Sequence, residues 1–342
     1  MKKIAITLVC ALAATMSFGQ TSEYKIINKI KLEGDGGWDY LAVDESSDRL
    51  FISHSTQVQV VDLKTGKLVG SVPNLNGVHG IAVAPDLNKA FISCGRDSSV
   101  VIVDLKTLSF IAKVKVSGAN PDAILYDPHS HKVFTFNGRS ANATVLDANT
   151  HKVVATIPLD GKPEFSVTDG KGKVFVNNED KSMVYMINSN TLQVEQKWSI
   201  APGEEPSGLA FDKANHRLFS VTDKLMVISD AQNGKMLTTV PIGENVDGVA
   251  FDPIKKRAYS SNGDGSVTVV QEVSPNEFKV VETIPTQRGA RTIAINTKTH
   301  RIYLPTAEFG PAPEATKENP NPRPKLIPGT FTILEIGYAK EL

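Results

Sequence analysis

Residues 246–262 read VDGVAFDPIKKRAYSSN. Small and large apolar residues alternate over 248–251 and again, with polar partners, over 257–261. A period of two belongs to a strand, because successive side chains point to opposite faces. The Asp-Pro-Ile-Lys-Lys stretch between the two runs is the punctuation of a hairpin turn. With Asp252 as reference, the same pattern returns at Asp44, Ala84, Asp127, Asp169, Asp212 and Asn296. The successive spacings are 40, 43, 42, 43, 40 and 44 residues. A third run in each unit ends at a second landmark: Asp62, Asp104, Asp147, Asn188, Asp230 and Gln271. A turn (LKTGK, LKTLS, ANTHK, SNTLQ, AQNGK) and a fourth run, such as 152–158 or 235–241, follow. Each unit is therefore four short strands, and none carries helical periodicity.

Four strands repeated every 40–44 residues predict an all-β, seven-bladed β-propeller with four antiparallel strands per blade. A β-sandwich has no reason to hold seven equal units, and solenoid coils are much shorter. The seventh unit lacks a fourth strand at the C-terminus. Residues 25–34, KIINKIKLEG, resemble the fourth strands KVVATIPLDG and KMLTTVPIG. The N-terminal strand is therefore expected to complete blade seven, making the ring cooperative by removing two exposed sheet edges.

The first 19 residues break the pattern. Lys2-Lys3 precedes a largely apolar run of 13 residues at 4–16, and Ser17-Phe18-Gly19 supplies small residues for a cleavage site before Gln20. This is the build of a secretory signal, too short to span a bilayer. The expected organisation is a signal peptide at 1–19 and one propeller domain at 20–342. The mature chain is expected to be exported, periplasmic or secreted to the cell surface, without a transmembrane segment and monomeric. Cys10 leaves with the signal, so Cys94 is alone and no internal disulfide forms. The formal net charge is 0, which disfavours nucleic acid as a partner.

The units SGLAFDKANHRLFSVT and DGVAFDPIKKRAYSSN, with their KVVATIP-like fourth strands, resemble the YVTN-type β-propeller repeats of exported bacterial YncE-like proteins. The likeness covers essentially the whole mature chain. It implies an extracytoplasmic propeller but no particular activity, because the matching residues are those that build blades. Related seven-bladed propellers include lactonases, lyases and subunits of periplasmic redox enzymes.

In a propeller the first strand of every blade lines the central channel, and loops converge at its mouth. Five residues before each reference position lie Asp39, His79, Asp122, Glu164, Ser207, Asp247 and Arg291. Equivalent positions of equivalent blades stand at one height, so these seven are expected to form a ring. Four carboxylates held together raise one another's pKa or recruit a cation. A divalent metal on His79 and Asp122 is one candidate cofactor, and solvated turn-capping groups are the competing reading. A second ring falls nine or ten residues after the references: His54, Cys94, Asn137, Asn178, Thr222, Asn262 and Thr306. Asparagine suits a turn with φ > 0 here; His54 and Cys94 depart from it, and with His79 and Asp39 offer a metal or catalytic cluster. His129, His131, His151, His216 and His300 read as turn residues.

Blade seven carries an insertion. From Asn296 to Glu335 takes 39 residues, against 18 to 20 for the same span elsewhere. The extra length lies at 305–328, with seven prolines, which stiffen the chain without pairing it. Glu308, Phe309 and Arg323 stand out in it, with Arg96, Arg139 and Arg288 in neighbouring loops; grouped arginines suit a carboxylate or phosphate. No phosphate loop, nucleophile elbow or EF-hand loop occurs. Two functions follow: a binding protein or interaction scaffold holding a small molecule or an exported protein at the mouth, or a metal-dependent, lactonase-like hydrolase or lyase at the same face.

Overall fold

Hydrogen-bonded strands sort into seven separate four-stranded sheets, each antiparallel throughout. The computed structural model describes residues 23–34, 36–317 and 322–339, so the expected signal at 1–19 lies outside the described residues. Six sheets take their strands in sequence order. The first strands are Trp38–Asp44, Val78–Ala84, Pro121–Asp127, Pro163–Thr168, Leu209–Asp212 and Val246–Asp252. The seventh sheet is built from Ala294–Asn296, Arg301–Thr306, Thr332–Tyr338 and the N-terminal Tyr24–Lys31. Tyr24 pairs with Tyr338 and Lys31 with Thr332 across one bulge. The protein is a seven-bladed β-propeller closed by its own N-terminal strand. No described helix is long and apolar enough to cross a membrane.

No single core holds this fold. Seven buried apolar clusters lie one at each junction between neighbouring blades; Phe51 and Val60 of blade one, for instance, pack with Ile92 and Val101 of blade two. A deeper regularity sits in the second strands. Phe51, Phe91, Phe134, Phe175, Phe219, Tyr259 and Tyr303 occupy equivalent positions, one per blade, and all are buried. Each aromatic brings a large apolar area to a junction, which explains how wedge-shaped blades fill the widening gap away from the axis.

The reference carboxylates stitch turns and blades. Asp252 accepts backbone bonds from Ile254 (2.9 Å) and Lys255 (3.0 Å) in its own turn, and His300 of the next blade reaches its second oxygen at 2.6 Å. Asp127 accepts from Ser130 in its own turn (2.7 Å) and from Thr168 across the junction (2.8 Å). His131, His216 and His300 do sit in turns with positive φ (51°, 57° and 58°). His131 and His300 add inter-blade polar contacts, His131 through Tyr126 at 2.9 Å, whose hydroxyl also reaches Asp86 of blade two at 2.7 Å.

Candidate functional site at the channel mouth

All seven residues of the first ring line one cavity of about 730 Å³ at the mouth of the channel. Their placement follows from the strands that carry them. Each stands at or just before the start of a first strand, and for four of them the preceding blade holds the backbone. Ser93 donates to the carbonyl of Asp122 (2.5 Å), Asn177 to that of Ser207 (3.0 Å), Ser261 to that of Arg291 (2.5 Å) and Thr292 to that of Asp39 (2.7 Å). The ring is thereby fixed by neighbours rather than left on free loops.

Its chemistry divides into three groups. In the first, His79 Nδ1 lies 2.7 Å from Asp39 Oδ2 and 3.6 Å from Asp122 Oδ1. One ligand atom from each of these three residues falls within 4.8 Å of the others. Burial alone disfavours the imidazolium, but the Asp39 hydrogen bond and the charges of Asp122 and Asp39 outweigh it and raise the pKa of His79. Burial, then the charge of Asp39, lifts Asp122 to about 6, against the opposing pull of His79. In the second group, burial and a hydrogen bond to Glu179 push Glu164 up to about 8. Burial opposes the charge on Glu179 too, but bonds from Glu164 and Lys162 hold its pKa below the ordinary value. Glu164 therefore keeps a proton that it shares with Glu179, while Lys162 bonds both carboxyl groups. The third group is the Arg291–Asp247 ion pair, beside which Ser207 donates to the Val246 carbonyl at 3.3 Å.

Tyr40 closes the floor against Phe165, ring centroids 5.3 Å apart. Burial, then the charges of Asp122, Asp39 and Glu164, hold its phenol well above the ordinary value, so it stays a neutral donor. Beyond it the channel turns apolar, a space of about 420 Å³ lined by Leu41, Ile81, Phe211 and Ile295 among others. The mouth thus holds eight carboxylates against three permanent cations, Lys162, Arg291 and Arg323.

The second ring does something else. Asn137, Asn178 and Asn262 end second strands with extended backbone, not in turns with positive φ. They are buried and tie strands together: Asn262 Nδ2 bonds Ser266 and Thr268, each at 3.0 Å, and Asn178 Nδ2 bonds the Leu159 carbonyl at 2.8 Å. Asn137 likewise bonds Asn142 at 2.8 Å. Thr306 accepts no role at the cavity and donates to the Arg288 carbonyl at 3.0 Å, whereas Thr222 reaches the cavity wall. Cys94 is fully buried, and burial pushes its thiol up to about 11, leaving it an inert packing residue. His54 is buried too, bonded to Gln59 at 2.9 Å and packed in a tilted arrangement on Phe331, ring centroids 4.0 Å apart. The expected grouping of His54 and Cys94 with His79 and Asp39 does not form; Asp122 completes the cluster instead.

His54 belongs to the platform beneath the insertion. Phe331 packs on Trp38 (5.4 Å), and Trp38 on Phe309 (6.2 Å). Phe309 bridges Leu326 across the loop's two arms, while Glu308, itself exposed, takes a bond from Ile327 through its carbonyl at 2.9 Å. The described arms of the loop are thereby pinned over one side of the mouth, and Arg323 lines the cavity. Gly289 lets Phe309 approach: its φ is +84°, and a Cβ there lies 2.8 Å from the ring. Gly289→Ala is expected to cost about 1–3 kcal/mol through backbone strain and a displaced Phe309. A fall in Trp38 fluorescence anisotropy, or a loosened loop in limited proteolysis, together with a lowered melting temperature, checks it.

Among the lining residues that escaped the sequence reading are Tyr40, Lys162, Glu179, Glu204, Glu205 and Asp223. A signal existed for two of them. The position after the second ring is Gly95, Gly138 and Gly263 in three blades, and Glu179 and Asp223 break that habit.

Fold and site together define a seven-bladed propeller with a charged cup at one end of its channel. Solved structures share this fold, three of them as follows. A chain of Kuenenia stuttgartiensis hydrazine synthase aligns with a TM-score of 0.71 and 17% identity over 80% of this chain and 94% of that one. A chain of the mitotic checkpoint complex gives 0.73 and 12% over 89% and 95%, and U3-55K gives 0.74 and 9% over 91% and 99%. At these identities the likeness is one of fold alone. No protein-family model and no curated protein sequence matches the chain.

Proposed function

We propose that the protein is an exported propeller of the YVTN-repeat kind that binds a small ligand through a cationic group at its channel mouth. The observation behind this reading is that one residue from every blade reaches a single cavity in which carboxylates outnumber permanent cations eight to three. Asp122 and Glu164 hold protons at pH values where carboxyl groups are normally charged, so the cavity already recruits positive charge from solvent. A bound cation displaces those protons, and affinity accordingly rises with pH from about 6 to about 8. Calorimetric titration with Ca²⁺, Mn²⁺ and the diamine putrescine tests it. At least one is expected to bind with proton release, and Asp122→Asn to weaken it tenfold or more. Affinity for none of the three, or affinity indifferent to both pH and the substitution, defeats the reading.

One observation favours a metal-dependent hydrolase or lyase of the lactonase kind as the second reading. Asp39, His79 and Asp122 together supply two carboxylates and an imidazole within 4.8 Å, a donor set suited to a transition metal with open positions. A metal there supplies Lewis acidity. Glu164, protonated beside it, is placed to give a proton to a leaving group, and Tyr40 to donate a hydrogen bond to a developing oxyanion. Elemental analysis combined with a lactone-hydrolysis assay separates the two: stoichiometric metal with turnover, both lost in Asp122→Ala and His79→Ala, supports the enzyme, and metal bound without turnover counts against it.

A further inference from the structure

A second cavity of about 840 Å³ opens beside the acidic one, under the blade-seven insertion. The two are continuous: Val246, Asp247, Arg291 and Arg323 line both. Their charges are opposite in sign. The second cavity gathers Arg288, Arg291 and Arg323, with Asp247 as the carboxylate in its wall, and Asp247 is already engaged by Arg291. Among the described residues neither Arg288 nor Arg323 has a carboxylate partner. Guanidinium groups gathered without counter-charge repel one another, and a planar oxyanion accepting their paired N–H donors relieves that cost. Phe309, held by Trp38 and the gap at Gly289, adds an apolar face to the same space.

We propose that the mouth binds a dipolar ligand, its cationic group among Asp39, Asp122 and Glu164 and its oxyanion between Arg288 and Arg323. The inference rests on the cation-binding reading of the acidic cup and specifies what the other end of the ligand carries. The Arg291–Asp247 pair stands at the boundary and keeps the two fields apart, so a ligand inserted the wrong way round meets like charge at both ends. Both cavities are far larger than a single ion requires, and their size suits an organic molecule on the scale of a short peptide. A carboxylate and a phosphate both satisfy the arginines.

Equilibrium dialysis of the purified full chain distinguishes these. The probes are an equimolar mixture of tripeptides with free ends, the same mixture N-acetylated, the same mixture C-amidated, and phosphoethanolamine. The free-ended mixture is expected to be enriched, and capping either end to cut retention tenfold or more. The double variant Arg288→Gln/Arg323→Gln, its fold checked by its melting curve, is expected to lose the preference for the free carboxylate. Retention of phosphoethanolamine in place of the peptides supports the dipolar ligand and assigns its anion as phosphate. Equal retention of free and amidated peptides overturns the anionic half while leaving the cation site standing. Putrescine or metal binding without retention of any dipolar probe overturns the inference alone. Loss of both overturns the inference and the reading beneath it.

Discussion

A chain lacking residues 23–31 is expected to lose its single cooperative transition and to melt at least about 10 °C below the full-length protein. Blade seven depends on that segment for its fourth strand, which pairs along its whole length from Tyr24–Tyr338 to Lys31–Thr332. The segment also grips blade six. Tyr24 Oη lies 2.7 Å from Tyr259 Oη and 2.8 Å from Tyr338 Oη, while Arg257 of blade six reaches Glu23 at 2.8 Å. Tyr24 is buried and belongs to the cluster between blades six and seven. Losing a buried aromatic alone costs about 3–5 kcal/mol, and at this chain length each kcal/mol moves the midpoint by about 1.5 °C. An opened ring adds exposed edges to that loss. Calorimetry with dye binding reads the change, and a synthetic peptide of residues 23–34 added in trans is expected to restore the transition by strand addition. A deleted chain melting within about 2 °C of the parent shows instead that the ring is held by the other six junctions.

Glu164→Gln is expected to stabilise the protein at alkaline pH and to leave it unchanged in acid. The folded-state pKa of Glu164 is raised from 4.5 to about 8. The native state therefore binds the proton more tightly than the unfolded chain. That contribution is fully present below 4.5 and is lost as pH rises through about 8. His79, also raised, acts in the same direction, its contribution lost as pH climbs past its folded value. Glu179 acts in the opposite sense, since its lowered pKa gives stability that disappears as pH falls. Glutamine mimics the protonated acid and keeps a donor for Glu179. The variant is expected to gain about 1–2 kcal/mol at pH 8.5 and to match the parent at pH 4.5. Denaturant melts across this range check it; a constant offset at every pH removes the shared proton from the account.

The two predictions draw on different levels of legibility. Closure of the ring could be read from KIINKIKLEG and its likeness to the fourth strands, because backbone pairing needs only a strand of the right length and pattern. The first ring could be read for the same reason: a repeat places equivalent residues at equivalent heights, so one register mark locates Asp39, His79, Asp122, Glu164, Ser207, Asp247 and Arg291 together. The proton on Glu164 was not legible, since Lys162 and Glu179 approach it from two separate loops of one blade. Nor was the fate of His54 and Cys94. Both share a register position with buried asparagines, and only packing decides that a side chain there points into the blade rather than into the channel.

The sequence by itself determined the number of blades, their strand order, the closing strand and which residues face the axis. Those features are local or periodic, and strand alternation is enough to carry them. Tertiary structure alone decided which ring residues touch, which of them keep a proton, and that the proline-rich insertion sets an arginine cavity against an acidic one. Each depends on distances between residues well separated in the chain, such as Glu164 and Glu179, His79 and Asp122, or Asp247 and Arg291, and electrostatic coupling depends on those distances and on the burial around them.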